Sequence, residues 1–192
     1  MKSPQDSGFP AVSGDPGGAE EGGRAAPAPK PLLMVDIDGV ISLFGPPGHD
    51  RPSTRGSFHS IEGIPHFLSS TAAAHLHTLA GSFELIWASG WEEKANEHLP
   101  HLLGVAELPF LRFSRDGGRT GTTQAHWKLA AIDAHAGARP LAWLDDAFNP
   151  ACHALAAARP APTLLVPTDP ARGLTAAETH QLLGWAERQP QD

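Results

Sequence analysis

The segment from residue 32 to residue 40 constrains the fold more than any other part of this sequence. It reads Leu-Leu-Met-Val-Asp-Ile-Asp-Gly-Val, so a run of large apolar residues is followed at once by two carboxylates and a glycine. An uninterrupted apolar run is typical of a parallel strand that is covered on both faces. Gly39 allows the chain to leave the sheet in a conformation that other residues resist.

Asp36 and Asp38 are two residues apart, so their side chains would leave a regular strand on the same side. Two such carboxylates repel by roughly 4 kcal/mol at about 4 Å and an effective dielectric of about 20. The pair therefore needs a cation or a shared proton. The alternative is that each Asp is only a turn former or a helix cap. The rest of the chain favours a carboxylate pair that needs a cation or a shared proton.

Composition narrows the class of protein. With 192 residues, of which 41% are hydrophobic, the chain suits one core. We expect a single domain over residues 31–188. Residues 1–30 are rich in Gly, Pro and charge, and we predict a disordered tail there because they cannot bury enough apolar surface.

Charge and cysteine content exclude several partners. The formal net charge of −7 argues against broad binding to nucleic acid or to anionic membranes. Cys152 is the only cysteine, which excludes an intramolecular disulfide and predicts a cytoplasmic location. No apolar run approaches the roughly 20 residues that span a bilayer, so no membrane partner is expected.

Further strands and helices alternate along the chain. Apolar runs predict strands at residues 83–88, 110–113, 141–144 and 163–166. Helices are predicted from Ser70 to Gly81, from near Trp91 with Pro100 kinking or ending the helix, at 125–136, from Pro150 and from Thr175. Residues 42–64 hold several prolines and glycines, and we predict an irregular flap there. The alternation predicts an α/β fold, a Rossmann-like three-layer sandwich with a central parallel sheet of about five strands.

Polar side chains follow several of these strands. They are Asp36, Asp38, Ser89, Asp145 and Asp146. Ligands gather at the carboxyl ends of the strands in such sheets, and Lys128 could reach this edge from its helix. Several carboxylates form a hard-oxygen site that suits Mg²⁺ together with a substrate phosphate. A hydroxyl and an ammonium could hold the remaining phosphate oxygens.

Taken in order, these motifs resemble those of the haloacid dehalogenase-like (HAD) superfamily of phosphatases. The resemblance covers about residues 31–188 and rests on Asp36-Ile37-Asp38-Gly39, Ser89, Lys128 and Asp145-Asp146. It implies that Asp36 is a nucleophile that forms an aspartyl-phosphate, and that Asp38 is the general acid and base. Ser89 and Lys128 would clamp the phosphate. It also implies a Mg²⁺ site, for which the candidate ligands are Asp36, Asp38, Asp145 and Asp146, with Asp146 binding directly.

Within this superfamily, residues 87–91 and the chain length look like a small bacterial group of undefined substrate. The spacing of the motifs leaves no room for a cap domain. A HAD-like fold without a cap has an open site, which favours a large phosphorylated substrate such as a protein or a nucleic-acid end. Arg112, Arg115 and Arg119 could meet such a substrate, although a solvated loop is the simpler interpretation.

Other functions use similar residues. A phosphoacceptor signalling domain also combines clustered Asp, a Ser or Thr, and a Lys, but it places the Lys after all the acids. Lys128 precedes Asp145, which favours a phosphatase. Another alternative is a non-catalytic phosphate-binding module, and a phosphotransferase with the same intermediate also stays open.

The five tryptophans are assigned to the core, and the histidine spacing does not favour a histidine metal site.

Overall fold

The computed structural model describes residues 29–44, 54–113 and 125–189. Most of the tail predicted at 1–30 lies outside these residues, as do residues 45–53 of the predicted flap. The loop predicted at 114–123, with Arg115 and Arg119, also lies outside them.

The elements alternate much as the sequence predicts. In chain order they are β1 (Leu32–Val35), β2 (Ser42–Leu43), β3 (Gly56–Ile61), β4 (Ile64–Ser69), α1 (Ser70–Leu79), β5 (Glu84–Trp87), α2 (Lys94–Leu103), a short 3₁₀ helix (Ala125–Lys128), α3 (Leu129–Ala136), β6 (Leu141–Asp145), α4 (Pro150–Ala158), β7 (Thr163–Pro167) and α5 (Ala176–Ala186).

The central sheet contains β1, β5, β6 and β7, all parallel, in the order β5-β1-β6-β7. The α/β class and the flanked parallel sheet are confirmed, with four strands in the part of the chain that the structure describes, where about five were predicted. The segment predicted as a strand at 110–113 forms only an isolated bridge between Phe110 and Trp87. Pro109 cannot donate to a ladder, and the Phe113 amide donates to Glu92 Oε1 at 3.1 Å. The chain thus turns towards Glu92, in the loop before α2, after a single bridge.

The core lies on both faces of this sheet. Leu33 and Val35 belong to one apolar cluster, which includes residues of α1, α2 and α5. Leu32 and Met34 belong to a second cluster, which includes residues of α3 and α4. The whole of β1 is therefore buried between helices, as its continuous apolar run predicts.

Local signals fix several helix ends. Ser69 caps α1, Asn149 caps α4 with Pro150 in its first turn, and Thr175 forms a capping box with Glu178 at α5. The start predicted for α2 near Trp91 is wrong, because α2 begins at Lys94. Glu92 there has φ of 49°, which excludes a helical conformation at that residue.

The prediction of an irregular flap at residues 42–64 is wrong over the part that the structure describes. Strands β2, β4 and β3 form an antiparallel sheet, in which β3 and β4 make a hairpin. Ile61 pairs with Ile64, and the two residues between them, Glu62 and Gly63, both have positive φ. This is the turn that matches the natural twist of paired strands. Below, "the hairpin" means β3 and β4 with this turn.

No helix among the described residues is both long enough and apolar enough to cross a membrane.

Gly173, in the loop after β7, packs closely against Val40 in the turn that follows β1. Its φ is 67°, and a Cβ there would lie 2.3 Å from the Val40 carbonyl oxygen. We expect Gly173→Ala to lower the free energy of unfolding by about 2 kcal/mol or more, because the strain of positive φ adds to a clash with backbone. Urea unfolding measures this loss.

Gly63→Ala is the matched control. Gly63 also has positive φ, but a Cβ there would meet nothing within 4 Å, so only the backbone strain of about 1 kcal/mol is expected. Equal losses in the two variants would show that the contact with Val40 does not matter.

Candidate functional site

The carboxyl ends of three neighbouring strands bring the predicted site residues to one edge of the sheet. Asp36 follows β1, and Asp145 is the last residue of β6, beside it. Ser89 follows β5 on the other side of β1, one residue beyond the 2.8 Å hydrogen bond from the Ala88 amide to the Val35 carbonyl. The Ser89 side chain is buried.

Lys128 joins this edge from the end of the 3₁₀ helix. Its Nζ lies 2.7 Å from Asp36 Oδ2 and 2.7 Å from Asp145 Oδ2. The residue is only 3% exposed. Burial alone would lower the pKa of Lys128, but the charges of Asp36 and Asp145 raise it above its usual value. Lys128 is therefore a charged, buried ammonium held between two carboxylates.

Backbone and side-chain donors orient both of these carboxylates. The Ile37 amide donates to Asp36 Oδ1 at 2.8 Å. Asp145 Oδ2 also accepts from Trp143 Nε1 at 3.2 Å, and Oδ1 accepts from the Ala147 amide at 3.0 Å. Burial and the nearby Asp36 raise the pKa of Asp145, and Lys128 opposes them. Each carboxylate is thus held in one orientation.

Asp146 completes a cluster of three carboxylates. One oxygen each from Asp36, Asp145 and Asp146 lies within 4.8 Å of the others. Burial, followed by the charges of Asp145 and Asp36, raises the pKa of Asp146 from 3.8 to about 7. A Cβ at Gly39 would lie 2.4 Å from Asp146 Cγ. Gly39 is therefore required for close approach as well as for its φ of 73°.

The cluster fits a hard divalent cation. Three carboxylates outnumber the single ammonium, and the charges of Asp145 and Asp36 add to burial in raising the pKa of Asp146. Carboxylate oxygens are the ligands that Mg²⁺ prefers. The residues that could hold a metal are Asp36, Asp145 and Asp146, whereas Asp38, also predicted as a ligand, lies outside this cluster.

Asp38 has a different environment. Its Oδ2 accepts a hydrogen bond from Trp91 Nε1 at 3.0 Å. Burial raises the pKa of Asp38, the Trp91 hydrogen bond lowers it, and the charge of Asp36 raises it further. The net shift is upward, so this carboxyl retains its proton to higher pH than an exposed Asp.

Sequence reasoning missed several polar roles at this edge. All tryptophans were assigned to the core, yet Trp91 and Trp143 donate to Asp38 and Asp145. A signal was present, because a buried indole N–H requires an acceptor and Trp91 lies two residues after Ser89. His66 of β4 packs against Trp91 and had no recognisable signal. Arg112 lies at the surface, with its Nη1 3.6 Å from Glu93 Oε2.

Comparison with known proteins gives no matching protein-family model and no matching curated protein. The function must therefore be argued from the side chains themselves.

The raised pKa of Asp146 predicts a pH-dependent stability without added metal. The folded state retains a proton on Asp146 that the unfolded state releases, so the free energy of unfolding falls as pH rises from about 4 to about 7. In Asp146→Asn this contribution is absent. We expect the variant to gain stability relative to the parent between pH 5 and pH 8, by about 1 kcal/mol after allowance for solvent screening.

Chemical unfolding in a chelator at the two pH values measures this gain. Glu107→Gln, which removes one exposed carboxylate from the loop after α2, is the control. An identical pH dependence in parent and Asp146→Asn would contradict the assignment of the raised pKa to Asp146.

Proposed function

We propose that this chain is a Mg²⁺-dependent phosphoester hydrolase in which Asp36 is the nucleophile and an aspartyl-phosphate is the intermediate. The observation that carries the proposal is the contact of Lys128 Nζ with both Asp36 and Asp145, 2.7 Å from each, beside Asp146. It combines a fixed carboxylate, a buried cation and a hard-oxygen cluster at one edge.

The orientation of Asp36 supports its role as nucleophile. One oxygen accepts from the Ile37 amide and the other faces Lys128, so the side chain has little freedom to rotate. A carboxylate that is fixed in this way can attack phosphorus without a base to activate it. Lys128 and the buried hydroxyl of Ser89 are proposed to hold the nonbridging oxygens of the phosphate.

The contrast between Asp38 and Asp36 supports a division of roles. Asp38 has a raised pKa and lies against an indole, whereas Asp36 faces an ammonium. Two carboxyls in different environments can serve as acid and as nucleophile in one site. Asp38 is proposed to donate its proton to the leaving oxygen and then to accept a proton from the attacking water.

The two half-reactions balance. An oxygen of Asp36 forms a bond to phosphorus while the bond to the ester oxygen breaks, and that oxygen takes the Asp38 proton. Water then attacks the same phosphorus, Asp38 recovers a proton, and the bond to Asp36 breaks to release phosphate. A Mg²⁺ ion held by Asp36, Asp145 and Asp146 would offset the negative charge of the phosphate oxygens.

The substrate is proposed to be large. Between β1 and β5 the described residues form three short strands and one helix, which is too little chain for a cap domain. An open site gathers less binding energy from a small molecule, so a phosphorylated macromolecule is favoured. A cytoplasmic location is part of the same proposal.

The metal site predicts a specific loss of affinity. Asp146→Ala removes one of the three anionic ligands, and we expect Mg²⁺ to bind at least about tenfold more weakly. Isothermal titration calorimetry at pH 8 measures the affinity, with Glu107→Gln as the control for a lost charge. Unchanged affinity in Asp146→Ala would exclude Asp146 as a ligand.

The two carboxylates of the first motif predict different losses of activity. Asp36→Asn is expected to be inactive towards every phosphoester, because no other group can replace the nucleophile. Asp38→Ala is expected to slow alkyl phosphates by about 10²-fold or more, and p-nitrophenyl phosphate much less. A nitrophenolate leaves as a stable anion and needs little protonation.

Single-turnover kinetics with both substrates measure these losses, with circular dichroism to verify the fold. Equal losses for the two substrates would contradict the role of Asp38 in proton transfer. An aspartyl-phosphate that forms and is never hydrolysed would instead identify a phosphoacceptor domain.

A further inference from the structure

Three residues from separate parts of the chain surround Asp38. They are Ser42 of β2, His66 of β4 and Trp91 in the loop between β5 and α2. None of them belongs to the three-carboxylate cluster. Their contacts with Asp38 and with one another form a connected set of four side chains.

The contacts are specific in geometry. Trp91 Nε1 donates to Asp38 Oδ2 at 3.0 Å. Ser42 lies beside Asp38 across an isolated backbone bridge, and its Oγ is hydrogen-bonded to His66 Nδ1 at 2.8 Å. The His66 ring meets the Trp91 ring edge-on, with centroids 4.9 Å apart. Each member of the set therefore touches two others.

Two of these four residues, Ser42 and His66, belong to the small antiparallel sheet. Ser42 pairs with Leu68 across β2 and β4, so His66, two residues before Leu68, lies on the same face of that sheet as Ser42. This face is turned towards Trp91. The turn of the hairpin is also joined to α2, because Lys94 Nζ lies 2.6 Å from both carboxylate oxygens of Glu62.

Asp38 requires such restraint. It lies two residues from Asp36, and a carboxylate that is free to rotate beside a divalent cation would be drawn into coordination. A carboxyl bound to the metal could not also carry a proton to the leaving oxygen. The hydrogen bond from Trp91 to Asp38 Oδ2 opposes that rotation, and Ser42 lies beside the same residue.

We propose that Trp91, Ser42 and His66 are positioning residues that hold Asp38 for proton transfer and away from the metal cluster. The inference rests on the proposed function for its kinetic consequence, but the contact itself can be measured without any substrate. The hairpin then has a role in catalysis, as the support for the general acid.

The first experiment observes the indole of Trp91 directly. Trp91→Phe removes one indole N–H signal from the ¹H–¹⁵N spectrum and so assigns it. Asp38→Ala is expected to shift that signal upfield and to speed its exchange with water, because the carboxylate acceptor is lost. The signal of Trp185, which is stacked on Phe83 in the core, is the internal control. An unmoved Trp91 signal would overturn the inference.

The second experiment measures rate against leaving group. Trp91→Phe keeps an aromatic ring beside His66 and removes only the donor. We expect kcat to fall about tenfold with an alkyl phosphate and less than about twofold with p-nitrophenyl phosphate, at unchanged KM. In the Asp38→Ala background, Trp91→Phe is expected to have no further effect. Additive losses would show that Trp91 does not act through Asp38.

Variants of His66 test the other end of the set. His66→Ala is expected to reproduce the leaving-group effect, and His66→Asn to recover most of the activity, since its amide can replace Nδ1 beside Ser42. His59→Ala is the matched control, because His59 faces His66 across the hairpin and is hydrogen-bonded to Ser57 instead. An equal effect at His59 would overturn the inference.

Failure of the inference is distinguishable from failure of the proposed function. A parent protein that hydrolyses no phosphoester would contradict the proposed function, and the indole measurement would then decide the positioning contact by itself.

Discussion

The candidate site at the carboxyl edge of the central sheet depends on the ion pairs of Lys128 with Asp36 and Asp145. Three carboxylates within 4.8 Å would repel strongly in a buried site if no cation lay among them. Lys128 supplies that cation and thereby joins the start of α3 to the ends of β1 and β6. One ammonium is outnumbered by three carboxylates, and burial, followed by the charges of Asp145 and Asp36, raises the pKa of Asp146.

Much of the fold could be predicted because its signals are local. The apolar run of β1, the Asn149 cap and the Thr175 capping box each depend on a few adjacent residues. The hairpin could not, since its turn places Glu62 at positive φ, where few residues other than Gly, Asn or Asp are expected. The predicted strand at 110–113 failed because a tertiary contact with Glu92, in the loop before α2, redirects a segment whose apolar pattern is short.

The candidate site could likewise be predicted from the sequence only in part. The parallel topology alone implies that Asp36, Asp145 and Asp146 meet at one edge, and they do. The position of Asp38 could not be read from the two-residue alternation of a strand, because β1 ends at Val35. The chain then closes a turn, with the Ser42 amide donating to the Ile37 carbonyl at 2.9 Å. The contact of Asp38 with Trp91 spans 53 residues and exists only in the folded chain.

The central claim is that Asp36 becomes phosphorylated during turnover, and chemical trapping of the intermediate tests it most directly. Borohydride reduces an acyl phosphate to an alcohol, so reduction after a rapid acid quench would convert a phosphorylated aspartate to homoserine. Peptide mass spectrometry then identifies the position. The account predicts homoserine at Asp36 in the parent protein incubated with Mg²⁺ and a phosphoester. Phosphate release with Asp36 unmodified, or homoserine at Asp38 or Asp145 instead, would contradict it.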